Sequence, residues 1–266
     1  MKRAHEIEFE IHGSEMQFAT IILDPGETVI SEPGAMMFMR DGMDMETKMG
    51  MGGDEQKGLF GKILSAGKRM VTGESLFLAH YTNKGSAKTS VGFAAPYPGK
   101  ILPINLEQYG TMLCQKDSYL CSALGVDVNI AFTKRFGAGL FGGEGFILQK
   151  LSGDGLAFIH AGGTLHHFDL GAGETIRVDT GCIVAFQESV QYDIRFIGGM
   201  KSALFGGEGL FFAVLTGPGR VFLQSLPFSR LAGRIFAAAP QGGGRARGEG
   251  SILGGLGGLL DGDNGF

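Results

Sequence analysis

The chain has 266 residues, 44% of them hydrophobic and 19% charged, which is enough apolar sequence to bury a core and too much for a disordered polymer. A net charge of -4 with pI near 5.9 excludes a global basic field, and with no Trp and five Tyr the chain lacks the usual base-stacking platforms, so nucleic acid is not an expected partner. The 47 glycines sit between apolar runs without a three-residue period, which excludes collagen and reads as turn chemistry.

The N-terminus alternates through Glu6-Ile7-Glu8-Phe9-Glu10-Ile11, a strand pattern that is neither a signal peptide nor a transit peptide. No segment reaches the roughly 18 uninterrupted apolar residues of a membrane span. Gly26-Glu27-Thr28, with Gly34 eight residues after Gly26, opens a turn and then an apolar strand at 35–39. Met43, Met45 and Met49 alternate with Asp44, Glu46 and Lys48 as the next strand. Over 57–69, Leu59, Phe60, Ile63 and Leu64 share one helical face and lysines the other, predicting a short inserted helix. Gly73-Glu74 then leads through Leu76-Phe77-Leu78 to a turn at Asn83-Lys84-Gly85.

Downstream the pattern returns. Val126, Val128, Ile130 and Phe132 form an alternating strand, followed 12 residues after Phe132 by Glu144 in Leu140-Phe141-Gly142-Gly143-Glu144-Gly145. The same six residues recur 64 positions later as Leu204-Phe205-Gly206-Gly207-Glu208-Gly209, again 12 residues after Phe196. Each glutamate is followed 11 residues later by a glycine, at Gly85, Gly155 and Gly219, and each turn so marked is expected to close a β-hairpin. Gly173-Glu174-Thr175, with Gly181 eight residues after Gly173, repeats the first turn and enters the strand at 182–186. Three units follow, 1–95 with the helical insertion 57–69, 96–165 and 166–238, then a glycine-rich flexible tail at 239–266. Each unit is too small to bury both faces of its own sheet, so a pseudo-threefold packing is expected.

Glu32-Pro33-Gly34-Ala35-Met36, the two Phe-Gly-Gly-Glu-Gly motifs and Leu215-Thr216-Gly217-Pro218-Gly219 together resemble a widespread bacterial family related to the mitochondrial biogenesis Aim-type proteins, over about residues 5 to 235. The resemblance implies an all-β fold of three β-sandwich repeats like the tryptophan RNA-binding attenuator protein, itself related to the double-stranded β-helix. It supplies no catalytic residues. Eukaryotic members are tied to mitochondrial inner-membrane organisation, which implies an interaction or scaffolding role.

The chemistry-bearing side chains fall into few groups. Gly137-Ala138-Gly139-Leu140-Phe141-Gly142 spells a dinucleotide fingerprint but leads into a strand, so it counts for nothing. Cys114, Cys121 and Cys182 are odd in number, without metal or redox spacing, and read as buried free thiols of a reducing compartment. His166 and His167 must face opposite sides of a strand and cannot chelate together. Symmetry would place Glu74, Glu144 and Glu208 at equivalent positions. Lys62, Lys68, Arg69, Lys134, Arg135 and Lys201 lie in loops that are basic and apolar together, a ligand- or partner-binding end suited to a protein or an anionic surface.

A non-enzymatic binding or scaffold protein follows, cytoplasmic and homo-oligomeric, with no catalytic set, no metal and no cofactor assigned. Two alternatives differ in class: a metal-dependent enzyme in a β-helix barrel, using His160 or His166 with one repeated glutamate, and an RNA-binding protein on the attenuator pattern.

Overall fold

A computed structural model describes residues 3–49, 77–134, 146–196 and 211–239. The described chain is predominantly antiparallel β. After an opening strand β1 (Glu8–His12) come β2 (Phe18–Leu23), β3 (Thr28–Ser31), β4 (Met36–Met39), β5 (Met43–Met49), β6 (Phe77–Asn83) and β7 (Thr89–Ala94). The next six are β8 (Gly99–Asn105), β9 (Met112–Gln115), β10 (Tyr119–Ala123), β11 (Asp127–Lys134), β12 (Phe146–Ser152) and β13 (Leu156–Gly162). The last six are β14 (Leu165–Leu170), β15 (Thr175–Asp179), β16 (Ile183–Gln187), β17 (Gln191–Phe196), β18 (Phe211–Thr216) and β19 (Gly219–Gln224). Among the described residues two α-helices accompany them, α1 (Leu106–Tyr109) and α2 (Phe228–Ala238).

These strands form four sheets, in the orders β1-β2-β7-β4, β5-β6-β3-β10-β13-β8, β11-β12-β9-β16-β19-β14 and β15-β18-β17. Three apolar cores lie between successive sheets. Ile21, Leu23, Val91 and Phe93 of the first sheet meet Val29, Tyr81 and Phe158 of the second. Ile30, Leu78 and Ile159 meet Met112, Val128 and Leu151 of the third. Leu148, Phe186 and Val221 then meet Val178, Ile194 and Leu215 of the fourth. Sheets two and three are therefore apolar on both faces, which is why β3 and β10 are buried along their whole length. In the first sheet β2 keeps the half-buried alternation of a strand with one wet face.

The sequence reading needs one correction. The glycine turns at 83–85, 152–155 and 216–219 do not close hairpins, because β6 and β7, β12 and β13, and β18 and β19 belong to different sheets. The hairpin partners are instead β5 with β6, β11 with β12 and β17 with β18. A glycine at φ +125° or +144°, as at Gly153 and Gly219, reverses the chain without specifying which layer receives it. At 155 the corner is also too tight for a side chain, since a Cβ there would lie 2.6 Å from Ala4 Cβ.

The inserted helix expected at 57–69 lies outside the described residues. So does most of the tail at 239–266. Residues 228–238, read as part of the last β-unit, form α2, which starts just after Pro227, a residue whose fixed φ suits a helix start. Chain contacts separate a unit of residues 1–230, which holds every described strand, from a unit of residues 231–266. Among the described residues no helix is long and apolar enough to cross a membrane.

Candidate functional site

One pairing scheme is used three times. The first strand of each six pairs with the sixth, the sixth with the third, the fourth with the fifth and the fifth with the second; β2–β7, β7–β4, β5–β6 and β6–β3 are the first set. The third strand always carries a β-bulge against the sixth, at Met37 between Met36 and Phe38, at Leu120 between Tyr119 and Cys121, and at Val184 between Ile183 and Ala185. The turn into the second strand is also shared. Glu27 Oε2 accepts from the Asp24 N–H at 2.8 Å, and Glu174 Oε2 accepts from the Gly171 N–H at 2.8 Å. Thr28 and Thr82 then join hydroxyls at 2.9 Å, as Thr175 and Thr216 do at 3.0 Å.

The sets are joined by one kind of junction, in which the second strand of one set pairs with the third strand of the next. In β3–β10, Cys121, Ser122 and Ala123 face Ser31, Ile30 and Val29. In β9–β16, Ala185, Phe186 and Gln187 face Cys114, Leu113 and Met112. At each junction the bulge is buried: Leu120 and Val184 are 3% and 0% exposed. Two strands that would complete a third junction are edges. β4 ends the first sheet and β15 ends the fourth. There Met37, at the same bulge, is 57% exposed and Met39 is 44% exposed. Across the gap in the pattern, Thr175 and Arg177 of β15 are exposed. Asp179 fixes the end of that strand, accepting from the Gly181 N–H at 2.9 Å and pairing with Arg230 at 3.2 Å.

Lys62, Lys68, Arg69, Glu74, Arg135, Glu144, Lys201 and Glu208 all fall outside the described residues, and Lys134 ends β11 opposite Phe146. Of the reactive side chains that are described, His160, Cys114 and Cys121 are buried. His160, on β13, is 2% exposed, lies edge-on to Tyr97 at 4.6 Å, and closes no well-formed hydrogen bond through either ring nitrogen. Burial pushes its pKa down to about 4, against a smaller upward pull from the Tyr97 backbone. Cys114 and Cys121 are free thiols pushed well up by burial, Cys114 also by Glu32 and Asp117. Cys182 is only half-buried, with the Arg230 guanidinium 4.0 Å from its Sγ. His166 and His167 stand on exposed β14, where His166 packs on Phe168 and His167 lies 4.0 Å from Asp169, so neighbours two apart share a face. Among the described residues no three His, Cys, Asp or Glu side chains gather as a metal set.

The junctions were missed in sequence because they join strands about 70 to 90 residues apart. A usable signal existed in the match between Gly26-Glu27-Thr28 and Gly173-Glu174-Thr175, which marks β3 and β15 as equivalent.

The family profile described as mitochondrial biogenesis AIM24 matches residues 9–226. An uncharacterised protein of Streptococcus pyogenes serotype M6 is 28% identical over 177 residues, 66% of this chain and 69% of that protein. The X-ray structure of a Streptococcus pyogenes protein superposes with a TM-score of 0.69 at 21% identity, over 88% of this chain and all of that one, a likeness of fold.

Proposed function

Because the chain belongs to the AIM24 family of mitochondrial biogenesis proteins, we propose that it is a non-enzymatic scaffold that self-associates and presents a binding surface in the cytoplasm. The observation that carries this reading is the burial of Cys114, Cys121 and His160. A nucleophilic cysteine needs a depressed pKa and a catalytic histidine one near neutrality, whereas burial drives Cys114 and Cys121 up and His160 down, away from both. The same burial speaks against the metal reading, since His160 lies behind Gly99, where even an added Cβ would come within 2.5 Å of its Nε2. The family's description, biogenesis, is a matter of assembly and accords with a platform.

In this reading Lys62, Lys68, Arg69, Lys134, Arg135 and Lys201 attract an anionic surface, and Glu74, Glu144 and Glu208 shape the loops that carry them. Co-sedimentation with phosphatidylserine-containing vesicles, against pure phosphatidylcholine, tests it. Salt-sensitive binding that Arg135→Glu with Lys201→Glu abolishes is expected. Equal retention on both vesicles, or no effect of the charge reversals, would remove the basic loops from the reading.

A further inference from the structure

We infer that β4 of one molecule pairs antiparallel with β15 of a second copy, in the register of the two junctions inside the chain. This rests on the scaffold reading and specifies its contact. The bulge sets the spacing: the residue after Leu120 faces Ser31 and the residue after Val184 faces Cys114. The Thr28–Thr82 and Thr175–Thr216 hydroxyl pairs align β3 with β15, so that Ile176, Arg177 and Val178 stand for Val29, Ile30 and Ser31. Carried onto the open edges, the register places Phe38 opposite Val178, Met39 opposite Arg177 and Arg40 opposite Ile176.

Three features favour a second copy as the occupant. The two edges are complementary halves of an interface the chain already builds twice, so one molecule supplies both sides of the contact. Among the described residues neither edge is paired within the chain, although both lie in the unit of residues 1–230. The exposed side chains are those the junction buries elsewhere: Met37 where Leu120 and Val184 are buried, and Met39 where Ser122 and Phe186 are fully buried. Pairing also satisfies the outward N–H and C=O groups of both strands, which an edge otherwise leaves to water. The contact joins unlike surfaces, so each added copy leaves a β4 and a β15 free for the next until a ring closes.

Arg177 tunes this contact. It occupies the place of Ile30 and Leu113, and a charge on an edge strand discourages indiscriminate pairing. Opposite Met39 its aliphatic stem covers the thioether while its guanidinium stays in water, which keeps the association reversible.

Cysteine cross-linking of full-length protein tests the register, in a Cys182→Ser background to remove the half-buried native thiol. Facing positions on paired strands lie within disulfide reach. Met39→Cys and Arg177→Cys chains, mixed and oxidised with diamide, should yield a disulfide dimer that neither variant forms alone. Met37→Asp should weaken association roughly tenfold or more in sedimentation equilibrium, and Arg177→Leu should strengthen it. Folding of each variant is checked by circular dichroism. A Met39→Cys/Arg177→Cys chain that cross-links at monomer mass would overturn the proposal, because the edges would then meet within one molecule. Folded variants that give no mixed dimer would overturn it too. If a native oligomer persists without the cross-link, the register fails and the scaffold reading stands; a monomer at every concentration sinks both.

Discussion

Replacing His160 with leucine should remove much of the acid sensitivity of the fold. The side chain is buried beside Tyr97, whose backbone only partly compensates a charge there. Its pKa is pushed down to about 4, whereas in the unfolded chain a histidine titrates near 6.5. Between those values the unfolded chain holds the extra proton. The contribution of neutral His160 is therefore complete above about pH 6.5 and is lost as pH falls towards 4. At about 1.36 kcal/mol per unit, the loss between about pH 7 and about pH 4.5 is roughly 2 to 3 kcal/mol. The chain has no Trp, so urea unfolding followed by far-ultraviolet circular dichroism is the suitable assay. Carboxylates titrate in both proteins, so the difference between wild type and His160→Leu isolates the histidine. That difference should shift by the stated amount in favour of the variant as pH falls. Parallel pH dependences would refute the reasoning, placing a charged His160 in the native state.

The repeated bulge gives a comparison within one chain: Leu120→Ala should cost about 2 to 4 kcal/mol, and Met37→Ala at the equivalent site under about 1 kcal/mol in dilute protein. Equal costs in urea unfolding would mean that Met37 is already buried. Asn83 is 1% exposed, donates to the Leu23 and Ala87 carbonyls at 2.9 Å each and accepts from the Gly85 N–H at 2.9 Å. Asn83→Ala should therefore cost about 2 kcal/mol or more, and a neutral result would contradict the clamp. Gly92 leaves room for Phe38, whose ring would lie 2.2 Å from an added Cβ. Gly92→Val should cost about 1 to 3 kcal/mol, and much less in a Phe38→Ala chain; additive costs would refute the contact. In native protein a thiol reagent should modify Cys182 well before Cys114 and Cys121, and simultaneous labelling would contradict their burial.

Much of the fold was legible because strand alternation and turn chemistry are local. Glu6 to Ile11 gave β1 within two residues, and Gly26 and Gly173 sit at φ +87° and +79° where the repeated motif placed turns. Partner choice was not legible. The turn at Ser152-Gly153-Asp154-Gly155 looks like a hairpin, but β12 pairs with β9 and β11 while β13 pairs with β8 and β10, a choice set by which layers the apolar faces join. The alternation of Val128, Ile130 and Phe132 concealed a bulge between the last two. Exposure was hidden too: Met37 and Leu120 are both apolar, but among the described strands Leu120 has a neighbour on each side and Met37 sits on an edge. α2 escaped because Phe228 to Ala238 follows β-units without a strong N-cap, its start marked only by Pro227.

The most direct measurement is a native mass spectrum of gently purified full-length protein across a range of concentrations. Multimers at whole-number multiples of the 28.1 kDa chain, carrying no additional mass and falling apart on dilution, are the expected result. A monomer at every concentration that retains a stoichiometric metal or small molecule would contradict the scaffold and turn attention to catalysis.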